Sequence, residues 1–176
     1  MLSIVTLIVD TITTILGGVL LLRFWMQATR VRPPSSVAQF TFQLSDWLVR
    51  PLRRLIPGVG GYDWASLVGA FLIVLLASSL MLIAGWRFEQ VLLLALERFL
   101  HWIIYGFIAL LVIEAIFSWV NPHAPLAPFV RALNEPLLRP LRRVVPQIGG
   151  LDLSLLVALI LLQIAQQLIG MAFNLN

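Results

Sequence analysis

Four long apolar runs dominate the chain. The first runs from about Leu2 to Leu22 and is broken by Asp10; the second, Ala65–Trp86, carries no charge. The third, about Phe99–Val120, is interrupted by Glu114; the fourth, about Leu153–Phe173, is uncharged but contains three glutamines. A helix crosses ~30 Å of hydrocarbon with ~20 mostly apolar residues. The pattern therefore predicts an all-α polytopic membrane protein with four transmembrane helices. The first run resembles a signal peptide in length. It lacks a basic leading region, and no small-residue cleavage site precedes Arg23, so it reads as a retained helix. Between the second and third runs, Arg87–Arg98 is amphipathic and is expected either to lie at the interface or to extend the third helix.

Two connecting segments show a different periodicity. Leu44, Leu48, Leu52 and Ile56 recur every four residues, opposite Arg50, Arg53 and Arg54. Phe129, Leu133, Leu137, Leu141 and Val145 do the same, opposite Arg131, Glu135, Arg139 and either Arg142 or Arg143. A helix with one apolar and one arginine face is suited to the headgroup zone. Pro51 and Pro140 fall inside these patterns and predict a kink or a break into two short helices. Pro57 and Pro146 end them, and a Gly-Gly pair follows for the turn back (Gly60-Gly61 and Gly149-Gly150).

The two segments are copies. Shifted by 89 residues, Arg50-Pro51-Leu52-Arg53-Arg54 overlays Arg139-Pro140-Leu141-Arg142-Arg143, and Asp63 overlays Asp152. From Leu44 to Val68, 13 of 25 positions are identical without a gap. This is internal duplication. The units are 1–89 and 90–176, each reading span, amphipathic segment, Pro-x-x-Gly-Gly-x-Asp, span. Two spans per unit insert both units the same way, which predicts a pseudo-two-fold axis along the membrane normal. Asp63 and Asp152 each stand just before a span, where a carboxylate serves as a helix N-cap.

Composition sharpens this picture. The 176 residues are 60% hydrophobic and 11% charged, against about 45–50% and 25% in soluble domains. That excludes a typical soluble globule and a disordered chain. The absence of cysteine excludes disulfides, thiol catalysis and cysteine-bound metals. All 12 basic residues are arginine, and the net charge is +4. In a soluble protein that would suggest nucleic acid. Here ten of the 12 lie in the two connectors, with Arg87 and Arg98 alone elsewhere. The positive-inside rule places both connectors in the cytoplasm and both termini outside, with no nucleic-acid partner. The expected partners are the bilayer, its anionic phospholipid headgroups and membrane proteins, with a homo-oligomer also possible on this reading. Trp25, Trp47, Trp64, Trp86, Trp102 and Trp119 all lie near span ends or on connectors, as interfacial anchors would.

The motif Arg-Pro-Leu-Arg-Arg-x-x-Pro-x-x-Gly-Gly-x-Asp before an apolar span resembles the YggT (YlmG) family. So do Leu22-Arg23-x-Trp25-Met26 in the first repeat and Ser118-Trp119 in the second. The resemblance covers nearly the whole chain and is to the two-repeat proteobacterial form. It implies a small integral protein of the bacterial cytoplasmic (inner) membrane without established catalytic activity. Members have been connected with envelope and division processes, osmotic tolerance and, in plastid relatives, cytochrome assembly. That implies a factor acting through partners. Glu114 departs from the Arg or apolar residue that members often carry there.

Ionisable groups inside spans are functional candidates by default. Ser3, Thr6, Asp10, Thr13 and Gly17 share one face of the first helix; Gln163, Gln167, Gly170 and Asn174, with Gln166 adjacent, line the fourth. Asp10 and the glutamines are expected to meet near the bilayer centre, as a hydrogen-bonded seam or an ion-responsive site. Arg23 and Glu114 are expected to pair or share water. Ala70, Ala77 and Ala84 would permit close helix approach on the second span. His101 and Tyr105 share a face, and with His123 in a loop the two histidines are too few for a metal site. No nucleotide-binding loop, zinc-protease or hydrolase motif occurs, so neither an enzyme nor a cofactor is expected. The leading expectation is a membrane assembly or scaffold factor whose Arg50, Arg53, Arg54, Arg139, Arg142 and Arg143 contact anionic lipid and partner proteins. The alternative is an ion-transport or osmotic-homeostasis component using Asp10 with Gln163, Gln166 and Gln167.

Overall fold

The computed structural model describes residues 2–145 and 152–173. Its helices are α1 (Leu2–Ala28), α2 (Ser35–Leu55), α3 (Trp64–Ser78), α4 (Leu80–Ile83), α5 (Phe88–Val120), α6 (Ala127–Arg142) and α7 (Leu153–Phe173). Four of them are long and apolar enough to cross a membrane: α1, α3 continued by α4, α5 and α7. The protein is an all-α membrane protein. Among the described residues, the only extended pairing is an isolated bridge between Val59 and Tyr62.

The spans are not uniform. α1 has 27 residues and α5 has 33, or about 40 and 50 Å at 1.5 Å per residue. Both exceed ~30 Å of hydrocarbon, so Arg87–Arg98 extends the third span. Helix ends follow local rules. Gly85 (φ 88°) closes α4, with Trp86 N–H donating to the Met81 carbonyl and Gly85 N–H to that of Leu82. Arg30 closes α1 in the same left-handed geometry (φ 56°), with Val31 N–H donating to the Met26 carbonyl. Gly60 and Gly61 (φ 68° and 84°) make the turn that returns α2 to α3; their copies, Gly149 and Gly150, and Pro146 lie outside the described residues.

Of the kink or break expected at the prolines, the break does not occur. α2 runs through Pro51, and α6 runs through Pro136 and Pro140. A proline removes one backbone bond, and these helices are held along their length by packing on the spans. The packed face is also turned from the expected one. Thr41, Ser45 and Val49 are the buried residues of α2, while Val130, Leu133, Asn134 and Leu138 are buried in α6. The leucines at 48, 52, 137 and 141 flank these residues. The cause is that each amphipathic helix lies across the ends of two spans, α2 on α1 and α3, α6 on α5 and α7.

The two repeats build the same local core. Val49 packs with Leu20, Ala65, Ala70 and Ile73, and Leu138 packs with Leu111 and Ala158. Gly69 admits Leu48 and Leu52 of α2; 89 positions on, Ala158 stands against Leu137 and Leu141. A full pseudo-two-fold is not formed. It would pair α1 with α7 as it pairs α5 with α3, yet α5 packs on both α1 and α3, whereas among the described residues α7 packs chiefly on α5 and α6. The core therefore centres on α1, α3 and α5, with α7 at the edge.

Two neighbouring glycines make contrasting predictions. A Cβ on Gly17 would run into the Trp102 ring, while one on Gly18 meets nothing within 4 Å. Gly17→Ala is expected to cost about 1–3 kcal/mol by overpacking. Gly18→Ala should be neutral or stabilise by up to about 1 kcal/mol through helix propensity. Thermal unfolding of the two variants in detergent, followed by tryptophan fluorescence, checks the difference.

Candidate functional site

Two ion networks occupy corresponding places, one per repeat, where the amphipathic helix meets its spans. In the first, Arg53 of α2 makes a forked contact with Asp63, Nε to Oδ1 at 3.1 Å and Nη2 to Oδ2 at 2.6 Å. Ser66 Oγ donates to the same carboxylate at 2.6 Å. Arg23 of α1 stands between two acids. Its Nη1 donates to Asp46 Oδ1 at 2.7 Å and to Ser45 Oγ, and its Nε lies 3.5 Å from Asp63 Oδ2. Arg50 closes on the other oxygen of Asp46 at 2.7 Å, the i,i+4 spacing of one helix face. The Phe42 ring lies 4.9 Å from the Arg23 guanidinium.

In the second network Arg142 is the hub. Nε donates to Asp152 Oδ2 at 2.8 Å, Nη1 to Glu135 Oε2 at 2.9 Å and Nη2 to Glu114 Oε1 at 3.3 Å. Asn134 Nδ2 donates to Glu114 Oε2 at 2.8 Å and to the Leu110 carbonyl at 2.9 Å. The 89-residue shift carries Arg53 onto Arg142, Asp63 onto Asp152, Asp46 onto Glu135 and Ser45 onto Asn134. The residue reaching in from the first span of the unit changes sign: Arg23 in one, Glu114 in the other. The first network thus gathers three arginines on two acids, and the second gathers three acids on one arginine.

Burial makes these pairs matter. Asp63 is 2% exposed, Arg23 5% and Glu114 7%, and a buried charge needs a partner. Outside the spans, the environment shifts several groups. For Asp46, the hydrogen bond from Arg23 comes first, and it outweighs burial to hold the carboxyl below its ordinary 3.8. For Asp63 and Asp152, burial pushes upward. The hydrogen bonds from Arg53 and Ser66, and from Arg142 and Ser154, overcome it, and both end below 3.8. Arg53 is raised, chiefly by its hydrogen bond to Asp63.

The expected pairing of Arg23 with Glu114 is corrected: each is held within its own repeat, because α1 packs on α2 and α3, and α5 on α6 and α7. Asp10 does not meet the glutamines. Arg98 Nη1 donates to Asp10 Oδ1 at 3.0 Å, because α5, not α7, lies beside α1. Gln166 Nε2 donates to Tyr105 Oη at 2.9 Å, and Gln163 and Gln167 are exposed on α7. The expected cluster of Asp10 with Gln163, Gln166 and Gln167 is therefore not assembled. The side chain of Ser3, and Asn174, lie outside the described residues. Asp152 accepts Ser154 N–H at 3.0 Å as an N-cap does. Asp63 stands at the N-cap position, but its carboxylate serves Arg53 and Ser66 instead of a backbone N–H.

Among the six connector arginines singled out from the sequence, Arg53 and Arg142 are spent inward and Arg50 is shared with Asp46. Arg54, Arg139 and Arg143 are exposed and make no ion pair among the described residues. Trp25 and Trp102 are also turned inward. Trp25 Nε1 donates to the Leu133 carbonyl at 2.9 Å, and Trp102 packs on the core. The Trp25 bond ties the end of α1 to α6, which puts both amphipathic helices at one end of the bundle. Sequence reading missed Asp46, Ser45, Asn134 and Ser66 and put Glu135 on an outer face. Acid over acid at 46 and 135, and polar over polar at 45 and 134, was the available signal.

An apolar cleft of about 340 Å³ between α1, α3 and α5 is lined by Gly18, Trp25, Gly106 and Phe107, with no titratable group. No group of three or more His, Asp or Glu among the described residues is arranged to hold a metal ion.

The family model for CCB3/YggT matches twice, over residues 2–84 and 93–173. An uncharacterised protein of the proC 3′ region in Vibrio alginolyticus is 35% identical over 93% of this chain and 91% of its own length. An uncharacterised Pseudomonas aeruginosa protein is 36% identical over 92% and 86%. The uncharacterised Escherichia coli protein YggT is 32% identical over 90% and 85%. No solved structure matches the chain.

Proposed function

The chain belongs to the CCB3/YggT family, and from that premise we propose that it is a non-catalytic assembly or scaffold factor of the bacterial cytoplasmic membrane. In this reading α2 and α6 face the cytoplasm, both termini face outward, and the exposed arginines contact anionic headgroups and partner proteins. The arginine asymmetry supports the orientation, since ten of the 12 lie at the α2 and α6 end. The observation that carries the reading is the division of labour among those arginines. Arg23, Arg53 and Arg142 fix the amphipathic helices to the spans, and Arg54, Arg139 and Arg143 remain outside. A helix clamped in this way presents its free guanidiniums at a set height above the bilayer.

Each arginine near an anionic surface contributes about 1 kcal/mol. The triple replacement of Arg54, Arg139 and Arg143 by Gln is expected to remove up to about 3 kcal/mol of headgroup attraction. Spin-labelled phosphatidylglycerol against phosphatidylcholine, in nanodiscs holding the purified protein, reads that selectivity. Undiminished preference for the anionic lipid in a folded variant overturns the platform. Reporter tags near residues 35 and 125 test the orientation in the same variant, and tags in opposite compartments overturn it.

A further inference from the structure

The duplication leaves half an interface open at each edge of the molecule. Between the repeats, α3 packs on α5, with the Phe71 and Phe99 rings 5.4 Å apart edge to face. Val74 and Ser78 share the Phe71 face of α3 and are buried. The 89-residue shift carries Phe71, Val74 and Ser78 onto Ile160, Gln163 and Gln167 of α7, and all three are exposed. The other half is missing its cover too. Arg23 and Glu114 play matching parts 91 residues apart. That spacing carries Ala95, Phe99 and Trp102 of α5 onto Ile4, Ile8 and Thr11 of α1, again all exposed. Ile160 is 47% exposed and Ile8 53%.

An aliphatic face against lipid needs no partner. Two carboxamides do: neither Gln163 nor Gln167 has a hydrogen-bond partner among the described residues, and both lie within a span. They sit on the face that the parent interface buries. We propose that this face binds a second copy of the chain, α7 of one copy packing against α1 of the next in the geometry of α3 against α5. The two helices run in opposite directions, as α3 and α5 do. The contact is head-to-tail, so it forms a ring if the rotation closes and an array if it does not.

The chain has no cysteine, so single cysteines report the contact cleanly. Separately tagged Ile8→Cys and Ile160→Cys copies are co-expressed, and their membranes are oxidised. The expected result is a cross-link joining the two tags. It should form well above the level given by Ile8→Cys with Leu161→Cys, which is exposed but points off the face. Replacing Gln163 and Gln167 with Leu is expected to lower the yield about tenfold, the effect of losing two interhelical hydrogen bonds. A cross-link confined to Ile160→Cys with itself would mean a symmetric α7 pair and overturn the proposal. So would equal yields from Ile160→Cys and Leu161→Cys, the mark of random collision, or no cross-link with both variants present in the membrane. A yield unchanged by the Gln replacements would overturn the part assigned to the carboxamides.

Discussion

Asp63→Ala is expected to destabilise the folded protein by about 2–4 kcal/mol, less than the full cost of breaking a buried ion pair because Arg53 is 46% exposed and water takes over part of its charge. Asp63 accepts from Arg53 and Ser66 and lies beside Arg23, and Arg23 is almost fully buried. Without the carboxylate, Arg23 keeps Asp46 and Ser45, while Arg53 loses its forked partner. Asp152→Ala, at the matching place in the second repeat, should cost less. Asp152 is more exposed, and Arg142 retains Glu114 and Glu135. Thermal unfolding of both variants in the same detergent gives the comparison; equal losses would contradict the burial argument. The pH dependence has a definite sign. Asp46, Asp63 and Asp152 are held below 3.8 in the folded protein. Their contribution is complete above that value and is lost as pH falls through the lowered folded values. Asp63→Ala should therefore flatten the acid side of the stability profile.

Arg142→Gln should be comparably severe, about 3–5 kcal/mol, for the opposite electrostatic reason. It removes the single guanidinium that three carboxylates share, leaving Glu114 buried with only Asn134 to donate to it. The diagnostic result is rescue. Glu114→Gln in the same chain deletes the buried charge while keeping an acceptor for Asn134, and it should restore much of the lost stability. The double variant belongs in a double-mutant cycle with both singles. Additive losses would mean that Arg142 and Glu114 are not energetically coupled. The variant also releases Asp152 from the arginine that holds its carboxyl down, so the profile should shift on acidification as well.

The fourth span was legible in its start at Leu153, because hydropathy over a fixed length is a property of a linear window. α1 and α5 ran longer than their apolar runs, since a helix stops where its backbone bonds stop and not where lipid ends. The Arg-Pro-Leu-Arg-Arg copies located both networks without showing their wiring. Asp46 carries no pattern of its own beside Arg50, and Glu135 falls on the arginine side of its helix. Their roles appear only once Arg23 and Arg142 are brought against them.

Sequence alone determined four spans, the duplication, the two amphipathic segments and the gathering of arginines in two connectors. Each follows from periodicity, length or internal likeness, which packing does not alter. Tertiary structure decided which arginines are spent and which are free. It set Asp10 against Arg98 across 88 residues, and it set Trp25 against Leu133 across 108. It also kept Arg23 and Glu114 apart, although α1 and α5 touch, because Arg23 is held by Asp46 and Asp63 and Glu114 by Arg142 and Asn134. Pairing depends on which helices become neighbours, and a span's apolar pattern says that it crosses the bilayer without saying what lies beside it.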